Sequence, residues 1–158
     1  MYAYLSYGGV LVPLLNRIGV SSGNPFGASG AGMNVTLRDS GSVNIHAAGD
    51  DVLSGTYRPD GQNISPLSSA SSFNANGGSI TLDAVGTGFG NMNPNGTWTL
   101  FFADVSGGGG QATLNGWSLD ITAVPEPVNV ALVVFAVLAG GIKLLSRRNS
   151  ANQRGSAA

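Results

Sequence analysis

Apolar and polar side chains alternate along several short stretches of residues 1–123, with the period of two that is typical of half-buried β-strands. Aromatic and β-branched residues occur in these stretches, and glycine, asparagine and serine separate them, as in strands joined by tight turns. We predict strands over residues 2–7, 10–15, 33–37, 43–45, 79–83, 96–104 and 112–121. Residues 50–76 are less regular, and we expect a long loop with little strand there.

The clearest strand signal lies in residues 96–104. Its alternation places two sets of side chains on opposite faces, Trp98, Leu100 and Phe102 on one and Thr97, Thr99 and Phe101 on the other. Residues 112–121 are expected to return as a second strand with four core side chains, Leu114, Trp117, Leu119 and Ile121. About seven short strands at regular spacing predict an all-β fold, an antiparallel jelly-roll-like β-sandwich over residues 1–123.

Charge divides the chain into two parts. Residues 1–123 hold three arginines against seven aspartates, a net charge of −4, whereas residues 124–158 carry a net charge of +3. The acidic part has no basic stripe, which argues against nucleic acid as a partner. The chain contains no cysteine, which excludes disulfides, thiolate zinc sites and cysteine nucleophiles.

The basic part adjoins the one long apolar run of the sequence. Residues 128–146 are almost entirely apolar, and this length is near the lower limit for crossing a bilayer. Lys143, Arg147 and Arg148 lie at its end and would keep the C-terminus on the cytoplasmic side. We expect one short C-terminal transmembrane helix over 128–146 and a basic cytoplasmic tail over 147–158. A buried core helix or a hydrophobic C-terminal strand is the alternative.

A stiff spacer, Val124, Pro125, Glu126 and Pro127, directly precedes the apolar run. Pro-Glu-Pro followed at once by a short apolar span and an arginine cluster resembles the PEP-CTERM protein-sorting signal of bacteria that secrete exopolysaccharide. This resemblance implies recognition and processing by an exosortase. It also implies an exported protein, anchored in the inner membrane with its globular domain outside, that is then placed at the cell surface or released.

Two segments, residues 95–104 and 114–121, together resemble the end of the P domain, or Homo B module, of subtilisin-like proprotein convertases. The shared pattern is a G-x-W-x-L strand ending in Asp, a glycine-containing turn, and an L-x-x-W-x-L-x-I strand. Residues 14–19 and 35–39 are similar to its middle strands. The resemblance spans residues 2–122 and implies a β-sandwich whose first strands are expected to precede Met1. Residues 1–20 lack a basic segment and do not read as a signal peptide.

Catalytic signatures are weak in this sequence. His46 is the single histidine and lacks a flanking catalytic motif, and neither a G-x-S-x-G elbow nor a phosphate-binding loop occurs. We therefore expect a protein that is not an enzyme. The alternative is a hydrolase with an unrecognised site, for which His46 and the aspartate-containing loops are the only candidates. Trp98 and Trp117 read as core residues, and Tyr2, Tyr4 and Tyr57 are the better candidates for stacking on sugars.

Four aspartates at strand ends or in loops are candidate calcium ligands, Asp39, Asp50, Asp51 and Asp104. Calcium prefers carboxylate, amide and backbone oxygens in turns of this kind, and the P-domain resemblance implies a metal at such positions. Asp39 and Asp104 are the first candidates, whereas Asp120 reads as a solvent-facing residue. Ordinary turn residues with solvated charges are the competing explanation.

These patterns together predict an exported, non-catalytic protein of the cell surface or extracellular matrix, with a binding or structural β-sandwich. Its expected partners are an exosortase-type processing enzyme, the membrane through the C-terminal helix, and exopolysaccharide. The alternative is an accessory P domain that stabilises or targets a subtilisin-like serine protease.

Overall fold

The computed structural model describes residues 1–30, 32–49, 52–105, 111–122, 135 and 137. The chain divides into two units, Met1–Leu119 and Asp120–Ala158. Among the described residues, the first unit has five strands, β1 (Tyr2–Tyr7), β2 (Val10–Asn16), β3 (Met33–Leu37), β4 (Leu53–Tyr57) and β5 (Thr99–Ala103). Two short 3-10 helices, Ile45–Ala47 and Ala70–Ser72, lie between strands. The prediction of a mainly β chain with an antiparallel sheet is confirmed.

A three-stranded antiparallel sheet in the order β2-β1-β5 forms the centre of this unit. Gly8 and Gly9 both have positive φ, 57° and 83°, so the tight turn between β1 and β2 has the backbone that glycine adopts without strain. Alternation along β1 buries Ala3 and Leu5 on one face. The opposite face of β1 carries tyrosines, and β5 continues it.

A second sheet consists of β3 and β4, which pair in parallel from Met33–Leu53 to Leu37–Tyr57. The short strand β4 lies inside the region that was predicted as a long loop with little strand, and its parallel pairing differs from the antiparallel pairing that was expected. Parallel partners need a crossover between them, and residues 38–52 provide it. Sequence periodicity could not reveal this strand because Ser54, Gly55 and Thr56 are all exposed.

The hydrophobic core joins the two sheets through five buried side chains, Ala3, Leu15, Ile18, Ile45 and Leu53. Half-buried residues, among them Met33, Val35 and Phe102, pack against this cluster. Full burial of a Leu or Ile side chain stabilises the fold by about 1.5–3 kcal/mol, so this small cluster dominates the packing of the first unit.

Three predicted strands do not form. Residues 43–45 lead into the first 3-10 helix because the side chain of Asn44 accepts the backbone N–H of His46. Residues 79–83 form bends because both carboxylate oxygens of Asp39 accept backbone N–H groups there, those of Leu82 and Asp83. Residues 112–121 are without strand pairing.

The expected core role of the 112–121 side chains is also wrong. The four predicted core residues are exposed, Leu114, Trp117, Leu119 and Ile121. By contrast, the two faces predicted for residues 97–102 are confirmed. Trp98, Leu100 and Phe102 are half-buried, and the alternating residues Thr97, Thr99 and Phe101 are exposed.

In the second unit, Phe135 and Val137 are helical and exposed. None of the helices formed by the described residues has both the length and the apolar character needed for a membrane crossing. The predicted spacer 124–127, the basic tail 147–158 with Arg147 and Arg148, and the span 128–146 with Lys143 lie outside the described residues, apart from residues 135 and 137.

Candidate functional site

A histidine–aspartate pair lies at the centre of the most extensive polar network in the described part of the chain. His46 Nδ1 lies 2.7 Å from Asp60 Oδ2, and both side chains are 0% exposed. His46 Nε2 lies 2.8 Å from the Val20 carbonyl oxygen. Since a carbonyl only accepts, Nε2 must carry a hydrogen and donate it.

Asp60 is surrounded by donors. Its carboxylate accepts the backbone N–H of Asn16 at 3.1 Å and the backbone N–H of Gln62 at 3.3 Å. The Gln62 side-chain amide donates a further hydrogen bond at 3.1 Å. With its oxygens accepting these N–H groups, Asp60 also accepts from His46 Nδ1, which therefore donates as Nε2 does. The pair is therefore an imidazolium–carboxylate ion pair.

The pKa of His46 agrees with this assignment. Burial by itself lowers the pKa, but the hydrogen bond to Asp60, its negative charge and the Val20 carbonyl together raise it further. The net result is a pKa above the ordinary histidine value. The Phe73 ring stacks parallel to the imidazole at a centroid distance of 6.0 Å and closes one side of the pair.

Asn44 positions the histidine. Its side-chain oxygen caps the first 3-10 helix at the His46 N–H, and its side-chain amide donates to the carbonyls of Pro59 and Asp60. Asn16 performs the corresponding task at the end of β2, where its amide donates to the carbonyls of Gln62 and Ile64. The network thus ties together β2, the helix at Ile45 and the segment 59–64.

This arrangement gives His46 a structural role. Both ring nitrogens are engaged and neither reaches solvent, so the imidazole has no free position from which to take a proton from a substrate. His46 in this arrangement therefore does not provide the general base that the hydrolase hypothesis requires.

A shallow groove of about 470 Å³ opens beside the network. Its walls are two backbone segments in close contact, since Gly78 donates to the Asp60 carbonyl at 2.7 Å and Ile80 donates to that of Gly61. Gln62 links the walls because its side-chain oxygen accepts the Asn74 N–H at 2.7 Å. The lining combines amide and hydroxyl groups with glycines and two isoleucines, and more of its area is apolar than polar; it consists of Gly61, Gln62, Asn63, Ile64, Asn74, Gly77, Gly78, Ser79 and Ile80.

Of the four candidate calcium ligands, the structure describes Asp39 and Asp104, and neither lines this groove. Asp39 accepts the N–H groups of Leu82 and Asp83, and Asp104 accepts the N–H of Ala112 at 3.0 Å. Asp50 and Asp51 lie outside the described residues. Within those residues, no group of three or more His, Asp or Glu side chains could hold a metal ion.

Of the three tyrosines predicted as stacking candidates, Tyr2 and Tyr4 contact each other and Phe101, whereas Tyr57 packs against the core cluster. The Tyr4 and Phe101 rings stack at 4.9 Å, and Tyr2 meets Phe101 edge-on. Trp98 stacks on Tyr7 at 4.2 Å, and its indole N–H donates to the Pro94 carbonyl. A platform for sugars needs open ring faces, and stacking covers one face of Tyr4 and one face of Trp98.

Sequence reasoning missed the buried network. Pro59-Asp60-Gly61 has the composition of an ordinary turn, and Asn16, Asn44 and Gln62 are residues that usually lie on the surface. Their partners are distant in sequence, 44 residues for the bond from Asn16 to Asp60. Comparisons of the chain with protein-family models, curated proteins and solved structures find no match.

Proposed function

We propose that this chain is an exported, non-catalytic protein of the bacterial surface or matrix, sorted by a PEP-CTERM tail. One observation carries the proposal: Pro125-Glu126-Pro127, the apolar run 128–146 and the pair Arg147-Arg148 follow one another without interruption. The proposed route is export, transient anchoring through the span with the domain outside, and processing by an exosortase.

The domain outside the membrane is proposed to be a P-domain-like, jelly-roll-type β-sandwich that binds exopolysaccharide. The groove beside Gln62 supports this ligand class because amide and hydroxyl groups can both donate to and accept from sugar hydroxyls. Asn63 and Asn74 are exposed at its walls. The net charge of −4 in residues 1–123 favours a neutral over an acidic polysaccharide at low salt.

Sorting is tested with the full chain expressed behind a cleavable secretion signal, in hosts with and without an exosortase. We expect a shortened, surface-associated product only where the enzyme is present. Replacing Pro125 and Pro127 by Ala should leave the chain unprocessed in the membrane. Asn152→Ala, in the basic tail, is the matched control and should be processed normally. Equal processing of all variants in both hosts would contradict the sorting proposal.

Sugar binding is tested by the retardation of the full chain, in detergent, in gels that contain dextran or alginate. We expect retardation by dextran, which is neutral. Asn63→Ala and Asn74→Ala should each weaken binding by about 2- to 10-fold, the value of one hydrogen bond of about 0.5–1.5 kcal/mol. Asn34→Ala, at an exposed position of β3, is the control and should bind normally. Unchanged binding by the groove variants would remove the groove from the proposal.

Calcium bound at Asp39 or Asp104 remains part of the proposal. Each carboxylate ties two segments together, Asp39 at the end of β3 and Asp104 at the end of β5. A bound ion would stabilise the fold by mass action. Millimolar calcium should therefore raise the unfolding midpoint of the full chain relative to a chelator, and Asp39→Asn should reduce the rise. Identical unfolding midpoints with calcium and with chelator would contradict the proposed calcium binding.

The accessory-domain alternative is favoured by one feature, the half-buried alternating residues Trp98, Leu100 and Phe102, which are followed by Asp104 after β5. It requires a subtilisin-like protease as a stable partner. Co-purification of the full chain with such a protease from its native host would favour this alternative over the surface-protein proposal.

A further inference from the structure

Two loops present the most exposed large hydrophobic side chains in the described part of the chain. Phe26 is 94% exposed and Leu67 is 82% exposed. Each directly follows a proline, Pro25 or Pro66, which fixes φ at its own position and restricts the loop at that point. Isolated exposed apolar residues are ordinary, but the loops that carry these two are bound by the same side chain, Arg17.

Arg17 joins the two loops. Its Nη2 donates to the Pro25 carbonyl at 3.3 Å, and its Nη1 donates to the carbonyls of Pro66 at 3.3 Å and Ser68 at 3.2 Å. The residues before Phe26 and on both sides of Leu67 are therefore held by one guanidinium. We call the surface formed by Phe26 and Leu67 the apolar tip.

Arg17 is itself held firmly in this position. Its backbone is left-handed, with φ of 51°, which is unusual for a residue other than glycine and is tolerated only where surrounding contacts enforce it. Its guanidinium also lies over the Phe73 ring at 5.3 Å from the centroid. A strained residue with this many contacts indicates that the spacing of the two loops is defined and not accidental.

The loops around the apolar tip carry no charged side chain. Residues 18–37 and residues 61–82 contain no Asp, Glu, Lys or Arg, and Asp60 is buried in its pair with His46. Serine, glycine and asparagine surround the two apolar side chains. The one charge beside them is the partly buried Arg17 guanidinium, which already donates to three carbonyls of these loops, so entry into a headgroup region removes water from few charged groups.

We propose that the apolar tip inserts into the interface of the lipid bilayer to which the chain is anchored. This inference rests on the proposed function, because the anchor is the apolar run 128–146. Only five residues separate Thr122 from Val128. Even fully extended at about 3.3–3.6 Å per residue, this connection keeps Thr122 close to the bilayer, and the tether raises the effective concentration of lipid at the domain. The net charge of −4 predicts weaker insertion into anionic than into zwitterionic lipid.

The absence of cysteine from the chain allows a clean test. Single cysteines are introduced in the full chain as Phe26→Cys and Leu67→Cys, with Val85→Cys as the matched control and Ala136→Cys as a reporter for the anchor. Val85 is also apolar and exposed, 70%, but the Arg17 guanidinium does not contact it. Each variant is labelled with the fluorophore NBD and reconstituted into phosphatidylcholine vesicles. Dithionite, which acts from the aqueous phase, then bleaches the accessible labels.

We expect labels at positions 26 and 67 to be bleached several-fold more slowly than the label at 85, and to be quenched by nitroxide-bearing lipids. The rapidly bleached fraction at position 85 gives the share of outward-facing domains. Adding anionic lipid should speed bleaching at 26 and 67.

In an Arg17→Lys background, whose single ammonium cannot hold both loops, the protection at the two positions should fall together. Unfolding midpoints verify that each variant is folded.

Equal bleaching rates at positions 26, 67 and 85, with a protected label at 136, would show that the apolar tip does not insert. The proposed membrane anchor would then still stand. Bleaching at all four positions would overturn both the inference and the proposed anchoring. Protection at 26 and 67 that appears only on addition of dextran, without vesicles, would overturn the lipid assignment in favour of a sugar surface.

Discussion

At the scale of single residues, a buried charge is stabilised by the acceptors that face it. His46 donates to the Val20 carbonyl and to Asp60, and Asp60 receives three further donors from Asn16 and Gln62. Buried ion pairs stabilise a fold only when hydrogen bonds of this kind satisfy the remaining polar atoms. Gln62 also lines the groove, so the ion pair fixes the position of one groove wall.

Removing one member of the pair should be costly. Asp60→Asn leaves His46 buried without a negative partner, and we expect the free energy of unfolding to fall by about 3–5 kcal/mol. Asp83→Asn, at an exposed carboxylate, is the control and should change it by less than about 0.5 kcal/mol. Urea denaturation of the full chain in detergent measures both. A loss at position 60 no larger than that of the control would show that the pair is not ionised.

The raised pKa of His46 sets the pH dependence of stability. A folded-state pKa above the unfolded value means that the native state holds the proton more tightly. The stabilisation is therefore complete below the unfolded histidine pKa of about 6.5, and it is lost as pH rises through the folded-state pKa. The unfolding midpoint should fall across this window.

His46→Gln should abolish this component of the pH profile. The Met1 amino group acts in the opposite direction, because burial lowers its pKa, despite the nearby Asp104, and favours folding as pH rises. Both proteins share that contribution, so the difference between their midpoints isolates His46. A difference that stays constant from pH 6 to pH 10 would contradict the assignment of a titrating imidazolium.

At the scale of the elements, local pattern was a good guide to strands whose side chains alternate clearly between apolar and polar. Strands β1, β2 and β3 were predicted within a residue of their bounds, because alternation and the Gly8-Gly9 turn specify them locally. The core strand β5 was placed correctly but is shorter than predicted. The parallel partner β4 was missed because its pairing depends on a crossover of 15 residues, which no local pattern encodes.

Side chains that bind the backbone account for the predicted strands that do not form. Asn44 and Asp39 each capture N–H groups that a sheet would otherwise use. The candidate site shows the same limit: Pro59-Asp60-Gly61 is recognisable as a turn, but its role as the partner of His46 depends on the packing of β2 against it. Sequence therefore predicts strands here better than it predicts the polar network that connects them.

Gly41 provides a test of how closely the turn after β3 packs against β4. It is buried in the turn between β3 and the first 3-10 helix, and a Cβ there would lie 2.3 Å from the Tyr57 carbonyl carbon. Because the obstacle is backbone of β4 and not a flexible side chain, Gly41→Ala should destabilise the fold by about 1–3 kcal/mol. Gly23→Ala is the matched control, since its Cβ would meet nothing within 4 Å. Urea denaturation distinguishes them, and equal stability would contradict the close packing of the turn against β4.

At the scale of the whole molecule, charge and hydropathy are distributed unevenly. The acidic residues 1–123 carry the β-fold, and the basic end follows the apolar run 128–146. The uncharged loops of the apolar tip add a surface suited to lipid, and the amide groove adds one suited to sugar. A protein held between a membrane and a polysaccharide matrix needs both kinds of surface, and this is why the two proposals are compatible in one chain.

The basic residues after the span should decide whether the chain stays in the membrane. In the proposed topology, Lys143, Arg147 and Arg148 would retain the C-terminus on the cytoplasmic side, because positive charges near the end of a span resist translocation. Changing all three to Glu, in an exported chain and a host without exosortase, should shift it from the membrane fraction to the secreted fraction. Arg154→Glu lies farther from the span and should retain the membrane location. Fractionation and the accessibility of a C-terminal tag measure the outcome. Unchanged retention of the triple variant would show that the apolar run does not depend on these charges, and would remove the arginine pair from the proposed sorting signal.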